Sequence, residues 1–291
     1  MLEGFVSFTY TIDPGVAIHG VRGGAGPPLL LLHGFPQTHR IWDRVAAQLK
    51  NDFAIIAIDL RGYGASSKPS GVEHYAKSAM ARDAARIMAM FGHLSYFVCA
   101  HDRGARVAHK LCVNYPERVR KAIFLDICPT LAMYTKTDFD FAKSYFHWFF
   151  LIQKSPLPET LISGNPRKFL EMFTGPRTDR STFLDEAWEE YVKALEDPAA
   201  VHSMCEDYRA SASVDLDEAR KDIEDGRKIQ CHLRVLWGKK GVIEKCFDAL
   251  AEWRSVCEGE VSGHVVDSGH YIPEEKPDVV IENIREFFLG Q

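Results

Sequence analysis

Asp102 stands in the sequence A-H-D-R-G (100–104), between a short apolar segment and a segment with helical character. A sharp turn from a strand into a helix projects one side chain above the sheet, where it can attack a bound substrate. A serine there would attack an acyl carbon, whereas a carboxylate can displace a leaving group from saturated carbon and form an ester. An aspartate after a strand could also simply cap the helix. The combination of strand, turn, Gly104 and helix favours a nucleophile at Asp102.

A second motif, His33-Gly34-Phe35-Pro36, follows the apolar segment 29–32. In enzymes with such a nucleophile turn, this loop supplies one backbone N–H of an oxyanion hole, and the residue after the nucleophile supplies the other. The sequence therefore predicts Phe35 and Arg103 as the two donors. A plain Gly-Pro turn is the alternative if the motif is taken alone.

His270 follows the last predicted strand and is third in chain order after a nucleophile and an acid, which is the place of a general base. The acid is expected a few residues after Trp237-Gly238, but the sequence there is K-K-G and contains no aspartate. Asp126 ends a neighbouring strand at the same edge of the sheet, and we predict that it orients His270. Glu244 is the rival acid.

Two arginines follow Asp102 closely. Arg103 is the next residue and Arg106 is three positions further, so both lie on one face of the first helical turn. Guanidinium groups bind a carboxylate in a planar, forked geometry. We therefore predict that Arg103 and Arg106 bind the carboxylate of a small substrate beside Asp102. The alternative is that Arg106 pairs with an acidic residue at the surface.

Short apolar segments that end at turn residues recur through the chain. Such near-continuous apolar character marks strands that are buried on both faces of a parallel sheet. Helix-like segments at 78–91, 103–115 and 277–289 alternate with them, as a doubly wound α/β sheet requires. The predicted parallel strands are 29–32, 54–58, 96–100, 122–125 and 233–236, after an antiparallel hairpin at 5–12 and 16–20.

The alternation of strands and helices stops after Asp126 and returns only at Leu233. Eight aromatic residues fall within the 17 positions 134–150, which is more than a surface helix needs. The rest of this stretch has mostly helical character. We therefore predict a helical cap at 129–222, inserted into an α/β core formed by 1–128 and 223–291.

The composition is that of a soluble globular protein, since 46% of the 291 residues are hydrophobic and 26% are charged. The formal net charge of -5 gives no general attraction to phosphate backbones or anionic membranes, so neither nucleic acid nor a membrane is expected as a partner. Seven cysteines without a C-x-x-C pair are typical of free thiols in a reducing compartment, and a cytoplasmic location is predicted. No metal or cofactor is expected.

Seven segments together resemble the fluoroacetate dehalogenases of the α/β-hydrolase superfamily, and the resemblance extends from about residue 20 to residue 290, across the predicted cap. They are H-G-F-P (33–36), D-L-R-G-Y-G (59–64), H-D-R-G-A-R (101–106), L-D-I (125–127), Y-F-H-W (145–148), D-Y-R-A (207–210) and G-H (269–270). The resemblance implies an α/β-hydrolase fold and hydrolytic release of halide from small haloacetates. It also implies a homodimer.

The resemblance assigns a role to further residues. It implies that His147, Trp148 and Tyr208 donate hydrogen bonds to the departing halide, which suits fluoride because its developing charge is best met by several N–H and O–H donors. Without the resemblance, Trp148 and Tyr208 would be interpreted as core residues of an aromatic cap. Ala100 and Ala105 depart from the family, which has glycine there, and are expected near the floor of the pocket.

Three other functions remain open. An epoxide hydrolase shares the aspartate nucleophile and protonates the ring oxygen with cap tyrosines, for which the candidates are Tyr134, Tyr145, Tyr191 and Tyr208. A haloalkane dehalogenase shares the nucleophile as well. Both classes usually have tryptophan after the nucleophile, so Arg103 disfavours them. A carboxylate-binding receptor without activity is disfavoured because Asp102, Asp126 and His270 are all present.

Overall fold

The structure is a computed structural model that describes residues 3–290. Its strands form one eight-stranded sheet in the order β1-β2-β4-β3-β5-β6-β7-β8. The strands are β1 (Phe5–Asp13), β2 (Val16–Gly23), β3 (Pro28–Leu32), β4 (Ala54–Ile58), β5 (Tyr96–His101), β6 (Val119–Leu125), β7 (His232–Gly238) and β8 (Val261–Val266).

The sheet is antiparallel only at its N-terminal side. β1 pairs with β2, and β2 pairs with β4, in antiparallel register, whereas every pairing from β4 to β8 is parallel. Parallel pairing brings the carboxyl ends of β3, β5, β6 and β7 to one edge. The loops that begin with His33, Asp102 and Asp126 therefore start side by side.

Two separate apolar cores explain why these strands contain near-continuous runs of apolar residues. Alternate residues of a strand point to opposite faces. In β3, Leu30 and Leu32 enter one core, and Leu29 and Leu31 enter the other. The predicted doubly wound α/β sheet is thus confirmed.

Helices cover both faces of the sheet. One face is covered by α2 (Lys77–Met90) and α3 (Arg103–Asn114), and the other by α1 (Asp43–Leu49) and the C-terminal helix Pro277–Leu289. The C-terminal helix has the predicted bounds, with proline in its first turn and Gly290 beyond its end at a positive φ of 75°.

Eight α-helices of the described chain lie between β6 and β7, and we call this segment the helical insertion. They are α4 (Thr130–Thr135), α5 (Phe139–Ser144), α6 (Phe146–Leu151), α7 (Leu157–Ser163), α8 (Pro166–Thr174), α9 (Asp185–Glu196), α10 (Pro198–Ser211) and α11 (Val214–Glu224). The remaining helices are α12 (Val242–Cys246), α13 (Ala249–Ser255), α14 (Ile272–Glu275) and α15 (Pro277–Leu289).

The aromatic stretch of the insertion is divided between core and surface. Phe141, Tyr145 and Trp148 are buried, and their rings pack against one another at centroid distances of 5.3 to 5.6 Å. Phe139 and Phe146 are instead 79% and 51% exposed. Within residues 3–290, none of the helices has the length and apolar character required to cross a bilayer.

Candidate active site

Asp102 lies at the sharp turn between β5 and α3. Its φ of 49° and ψ of -116° are unusual for a residue other than glycine, and such backbone strain is typical of a nucleophile turn. The turn also requires glycine at position 104, because a Cβ atom there would come within 2.3 Å of the His33 carbonyl oxygen. The close approach of α3 to the loop after β3 thus fixes the place of the Asp102 carboxylate.

The loop after β3 packs directly on this carboxylate. The Phe35 N–H donates a hydrogen bond to Asp102 Oδ1 at 3.0 Å. A Cβ atom on Gly34 would lie 2.5 Å from the same oxygen, so only glycine permits this contact. Arg103 begins α3, and the first N–H groups of a helix have no partner within it. The two predicted oxyanion donors therefore flank Asp102.

His270 stands between the two aspartates. Its Nδ1 lies 2.6 Å from Asp126 Oδ2, and its Nε2 lies 3.8 Å from Asp102 Oδ2. Asp126 is itself held in place, because its Oδ1 accepts a hydrogen bond from the Gly238 N–H at 2.9 Å. The rival acid Glu244 accepts a hydrogen bond from the indole of Trp237 instead (2.5 Å).

The charges of this group favour an ionised nucleophile and raise the pKa of the base. Burial alone would raise the pKa of Asp102, but the neighbouring His270 and Arg103 and the Phe35 N–H together lower it. Burial would lower the pKa of His270, but the hydrogen bond and the charge of Asp126, with the charge of Asp102, raise it.

Residues that the sequence analysis missed hold the His270 backbone. His101 Nε2 lies 2.8 Å from the His270 carbonyl oxygen, and burial lowers the pKa of His101 to about 3, so this ring is a neutral donor. Glu275 accepts hydrogen bonds from the Gly269 N–H at 2.7 Å and from the Tyr271 N–H at 2.9 Å. His101 belongs to the H-D-R-G motif, and this position beside the nucleophile was the sequence signal for its role.

Arg103 is anchored by the helical insertion. Its Nε donates to Asp207 Oδ2 at 2.8 Å, and its Nη2 donates to the Asp207 carbonyl oxygen and to Ser211 Oγ, each at 2.7 Å. Lys77 and Tyr63 also bind the Asp207 carboxylate. Arg103 Nη1 is buried and has no hydrogen-bond partner in the described chain. Asp207 lies in the D-Y-R-A segment, where the sequence analysis assigned a role only to Tyr208.

Arg106 has no carboxylate partner among residues 3–290, so the alternative of a surface ion pair is wrong. The residue is 2% exposed, and its Nη2 contacts Met133 Sδ at 3.3 Å. Its Nε and Nη1 are buried without a hydrogen-bond partner in the described chain. Burial, together with the nearby charge of Arg103, lowers the pKa of Arg106.

The three predicted halide donors pack against these arginines and against Phe35. The guanidinium carbon of Arg103 lies 3.9 Å from the ring centroid of Tyr208, and that of Arg106 lies 4.4 Å from the ring centroid of Trp148. The rings of His147 and Tyr208 are 5.8 Å apart, and the ring of Phe35 is 5.3 Å from Tyr208. The structure thus brings the predicted carboxylate-binding and halide-binding residues together.

A cavity of about 380 Å³ leads from the surface to His270. It lies between the helical insertion and the loop after β7. Its lining includes Tyr145, Phe146, Met172, Arg177, Lys240 and His270. A small substrate can therefore approach the site from the side of the general base.

Ala100 and Ala105, which depart from the family pattern, are both fully buried. Ala100 lies in β5, in register with Leu32 of β3 and Phe124 of β6. Ala105 lies in the first turn of α3, and its N–H donates to the Asp102 carbonyl oxygen at 3.0 Å. Both methyl groups belong to the apolar core beneath Asp102.

Elsewhere in the described chain, His19, His39 and Asp59 have the residue types of a metal site, with potential ligand atoms within 4.8 Å of one another. However, Asp59 Oδ1 already binds the His39 N–H and Nδ1 at 2.9 and 2.8 Å, and Oδ2 accepts from the Ala65 N–H at 3.0 Å. These bonds hold the loop that follows Phe35 against the end of β4. The group is therefore explained as structural support for that loop.

Known proteins resemble the chain over nearly its whole length. The family described as "alpha/beta hydrolase fold" matches residues 27–277. A fluoroacetate dehalogenase from Burkholderia sp is 38% identical over 99% of this chain and 95% of its own length, and a soluble epoxide hydrolase from Corynebacterium sp. (strain C12) is 30% identical over 94% of each. The crystal structure of ALR0039 from Nostoc sp PCC 7120 superimposes with a TM-score of 0.95 at 43% identity, covering 99% of both chains. These findings confirm the resemblance expected from the motifs, and the chain belongs to the α/β hydrolase fold family.

Proposed function

We propose that the protein hydrolyses small haloacetates, converting fluoroacetate to glycolate and fluoride. The observation that carries this proposal is Arg106, a buried arginine without a carboxylate partner in the described chain, beside the unpaired Nη1 of Arg103. A buried charge that lacks its partner costs about 3 to 5 kcal/mol. An anionic substrate would supply the missing partner, whereas a neutral epoxide or haloalkane would leave the charge uncompensated.

The proposed reaction has two steps. The Asp102 carboxylate attacks the carbon that bears the halogen, so that an ester bond forms and the carbon–halogen bond breaks with release of halide. His270 then takes a proton from water, and the resulting hydroxide attacks the Asp102 ester carbonyl. The Phe35 and Arg103 N–H groups stabilise the oxyanion. The ester C–O bond then breaks as His270 returns its proton to the departing glycolate oxygen, and the Asp102 carboxyl group loses the remaining proton to solvent.

The distances support these roles. His270 Nε2 and Asp102 Oδ2 are 3.8 Å apart, which is too long for a hydrogen bond and leaves the Nε2 lone pair free to bind a water. The Phe35 N–H already points at Asp102 Oδ1, which becomes the carbonyl oxygen of the ester when Oδ2 attacks. The same N–H therefore meets the charge that develops in the second step.

Epoxide hydrolysis is the second candidate, and the tyrosines of the insertion favour it. The hydroxyl groups of Tyr134 and Tyr145 are buried without a hydrogen-bond partner in the described chain, as a proton donor to an epoxide oxygen would be. Tyr191 is less suitable, because its hydroxyl lies 3.2 Å from Glu274 Oε1. The unpaired arginine nitrogens favour the haloacetate over this alternative.

The proposal is tested by measuring product release from four substrates with the purified protein. We expect fluoride from fluoroacetate and chloride from chloroacetate, with much slower turnover of styrene oxide and of a neutral haloalkane. Faster turnover of styrene oxide than of either haloacetate would instead support an epoxide hydrolase. Binding of haloacetate without any turnover would support the receptor.

Trp148→Phe is expected to lower fluoroacetate turnover by about 10²-fold, the loss caused by removing one preorganised donor. The change keeps the aromatic ring and removes the N–H. Bromoacetate turnover should fall much less, because fluoride leaves least readily and accepts hydrogen bonds most strongly. Steady-state release of each halide measures both rates.

Trp188→Phe is the matched control for this variant. Trp188 is also a buried tryptophan of the insertion, but its ring packs against Phe183 at a centroid distance of 5.2 Å and under the guanidinium group of Arg180 instead of that of Arg106. It should leave both rates near those of the unmodified protein. An equal loss for fluoroacetate and bromoacetate in Trp148→Phe would mean that Trp148 only shapes the pocket.

A further inference from the structure

Arg177, which follows α8, has a guanidinium group that makes no ion pair within the described chain. Its Nη1 donates to the Phe173 carbonyl oxygen, and its Nη2 lies 3.4 Å from the Ser144 carbonyl oxygen. The guanidinium carbon is 4.1 Å from the ring centroid of Phe173. Two carbonyl groups and one ring of the insertion therefore fix its position at the edge of the cavity that leads to His270.

The same guanidinium group contacts the His147 imidazole. Arg177 Nη2 lies 3.3 Å from His147 Nδ1, and this is the only hydrogen bond of the His147 ring among residues 3–290. A guanidinium nitrogen can only donate, so Nδ1 must accept. In a neutral imidazole, a proton-free Nδ1 requires that Nε2 carries the hydrogen.

We infer that Arg177 is a positioning residue that holds His147 as the Nε2–H tautomer and so makes it a hydrogen-bond donor to the departing halide. This inference rests on the proposed function, because it concerns the leaving group of that reaction. The opposite tautomer would direct the Nε2 lone pair toward the halide. It would then repel the developing negative charge instead of stabilising it.

The surroundings of His147 support a single ring orientation. The ring lies nearly parallel to that of Phe35, with an interplanar angle of 11° at 6.3 Å. The rings of Phe173, Tyr145 and Tyr208 stand at 70° to 81° to it, at centroid distances of 4.9 to 5.8 Å. Among the described residues, none of these four rings forms a hydrogen bond with Nδ1, whose partner is Arg177. Arg177 therefore decides which nitrogen is protonated.

The charge of His147 is consistent with this assignment. Burial, together with the positive charges of Arg177 and Arg103, holds the pKa of His147 well below its ordinary value. The ring is therefore neutral near pH 7 and has a single N–H to place. Arg177 also adds an uncompensated positive charge near the predicted halide position.

The tautomer is measured directly by two-bond ¹H–¹⁵N correlation spectra of the protein labelled with ¹⁵N-histidine, with the His147 signals assigned by their loss in His147→Gln. We expect protonated Nε2 and unprotonated Nδ1 in the unmodified protein. Arg177→Met removes the donor and should populate the Nδ1–H form. Arg177→Lys retains a charged donor and should restore the Nε2–H form. A protonated Nδ1 in the unmodified protein, or a tautomer that Arg177→Met leaves unchanged, would overturn the inference.

Substitution of Arg177 should also lower turnover, by an amount that depends on the halide. Arg177→Met should lower fluoroacetate turnover about tenfold more than bromoacetate turnover, because the weakened donor acts on the halide that needs it most. Arg177→Lys should recover most of this selectivity. A merely structural role would lower both rates equally, and that result would also overturn the inference.

Arg180→Met is the matched control. Arg180 is three residues further along, pairs with Asp185 at 2.8 Å and lies over the ring of Trp188. Its loss should change neither the His147 tautomer nor the ratio of the two rates. If the unmodified protein releases no halide from any haloacetate, the proposed function fails, while the spectra still decide whether Arg177 sets the tautomer.

Discussion

His270→Asn is expected to stop the reaction at the Asp102 ester. Displacement of halide needs the Asp102 carboxylate but not the imidazole, whereas hydrolysis of the ester needs a base to activate water. Turnover should therefore fall by about 10⁴-fold or more, while the first step still occurs once per active site.

The trapped ester is identified by the mass of the peptide that contains Asp102. Fluoroacetate and chloroacetate should give the same carboxymethyl increment, because the halogen has left in both cases. The double variant Asp102→Ala/His270→Asn should show no increment at this peptide. Steady turnover by His270→Asn without an adduct would contradict the ester mechanism.

The unmodified protein offers an independent test of the same intermediate. In a single turnover in ¹⁸O water with enzyme in excess, the label should enter the Asp102 carboxylate, because water attacks the ester carbonyl. The first glycolate should be largely unlabelled, since its new oxygen comes from Asp102. Label found directly in that first glycolate would show that water attacks the substrate itself.

The sequence predicted the sheet and the residues at its edge because both depend on local patterns. The strand at 54–58 and the helix at 277–289 have the predicted bounds, since each is an uninterrupted apolar or amphipathic segment between turn residues. β6 begins at Val119, earlier than the predicted 122, because the exposed Arg120 breaks the apolar run at the strand's start. Asp126 could be placed beside His270 because parallel strands end at one edge.

The contacts made by the insertion could not be predicted in the same way. Arg103 binds Asp207 across 104 positions of sequence, and nothing in the local pattern indicates which acid of the insertion turns inward. Arg177 contacts His147 across 30 positions for the same reason. The aromatic stretch was recognised by its density, but density does not separate the buried Phe141 from the exposed Phe139, since this depends on how α5 packs.

Asp126→Asn is expected to lower turnover by about 10⁴-fold with the fold intact, as in other triads where the amide misorients the imidazole. Here the direction of the amide is set by Asp126 Oδ1, which accepts the Gly238 N–H. The asparagine oxygen should keep that bond and place its NH₂ against His270 Nδ1. His270 would then carry its proton on Nε2 and have no lone pair for the attacking water.

Two further measurements separate the effect of Asp126→Asn on His270 from a general loss of folded structure. Ester formation should persist in a single turnover, and the rising limb of the pH–rate profile should move to lower pH. Asp126 raises the pKa of His270, so its loss lets the imidazole become neutral at a lower pH.

Glu244→Gln is the matched control, and its turnover should be near normal because Glu244 binds Trp237 and not His270. Near-normal turnover in Asp126→Asn with loss in Glu244→Gln would reverse the assignment, and an unmoved pH profile would show that Asp126 does not act through the imidazole.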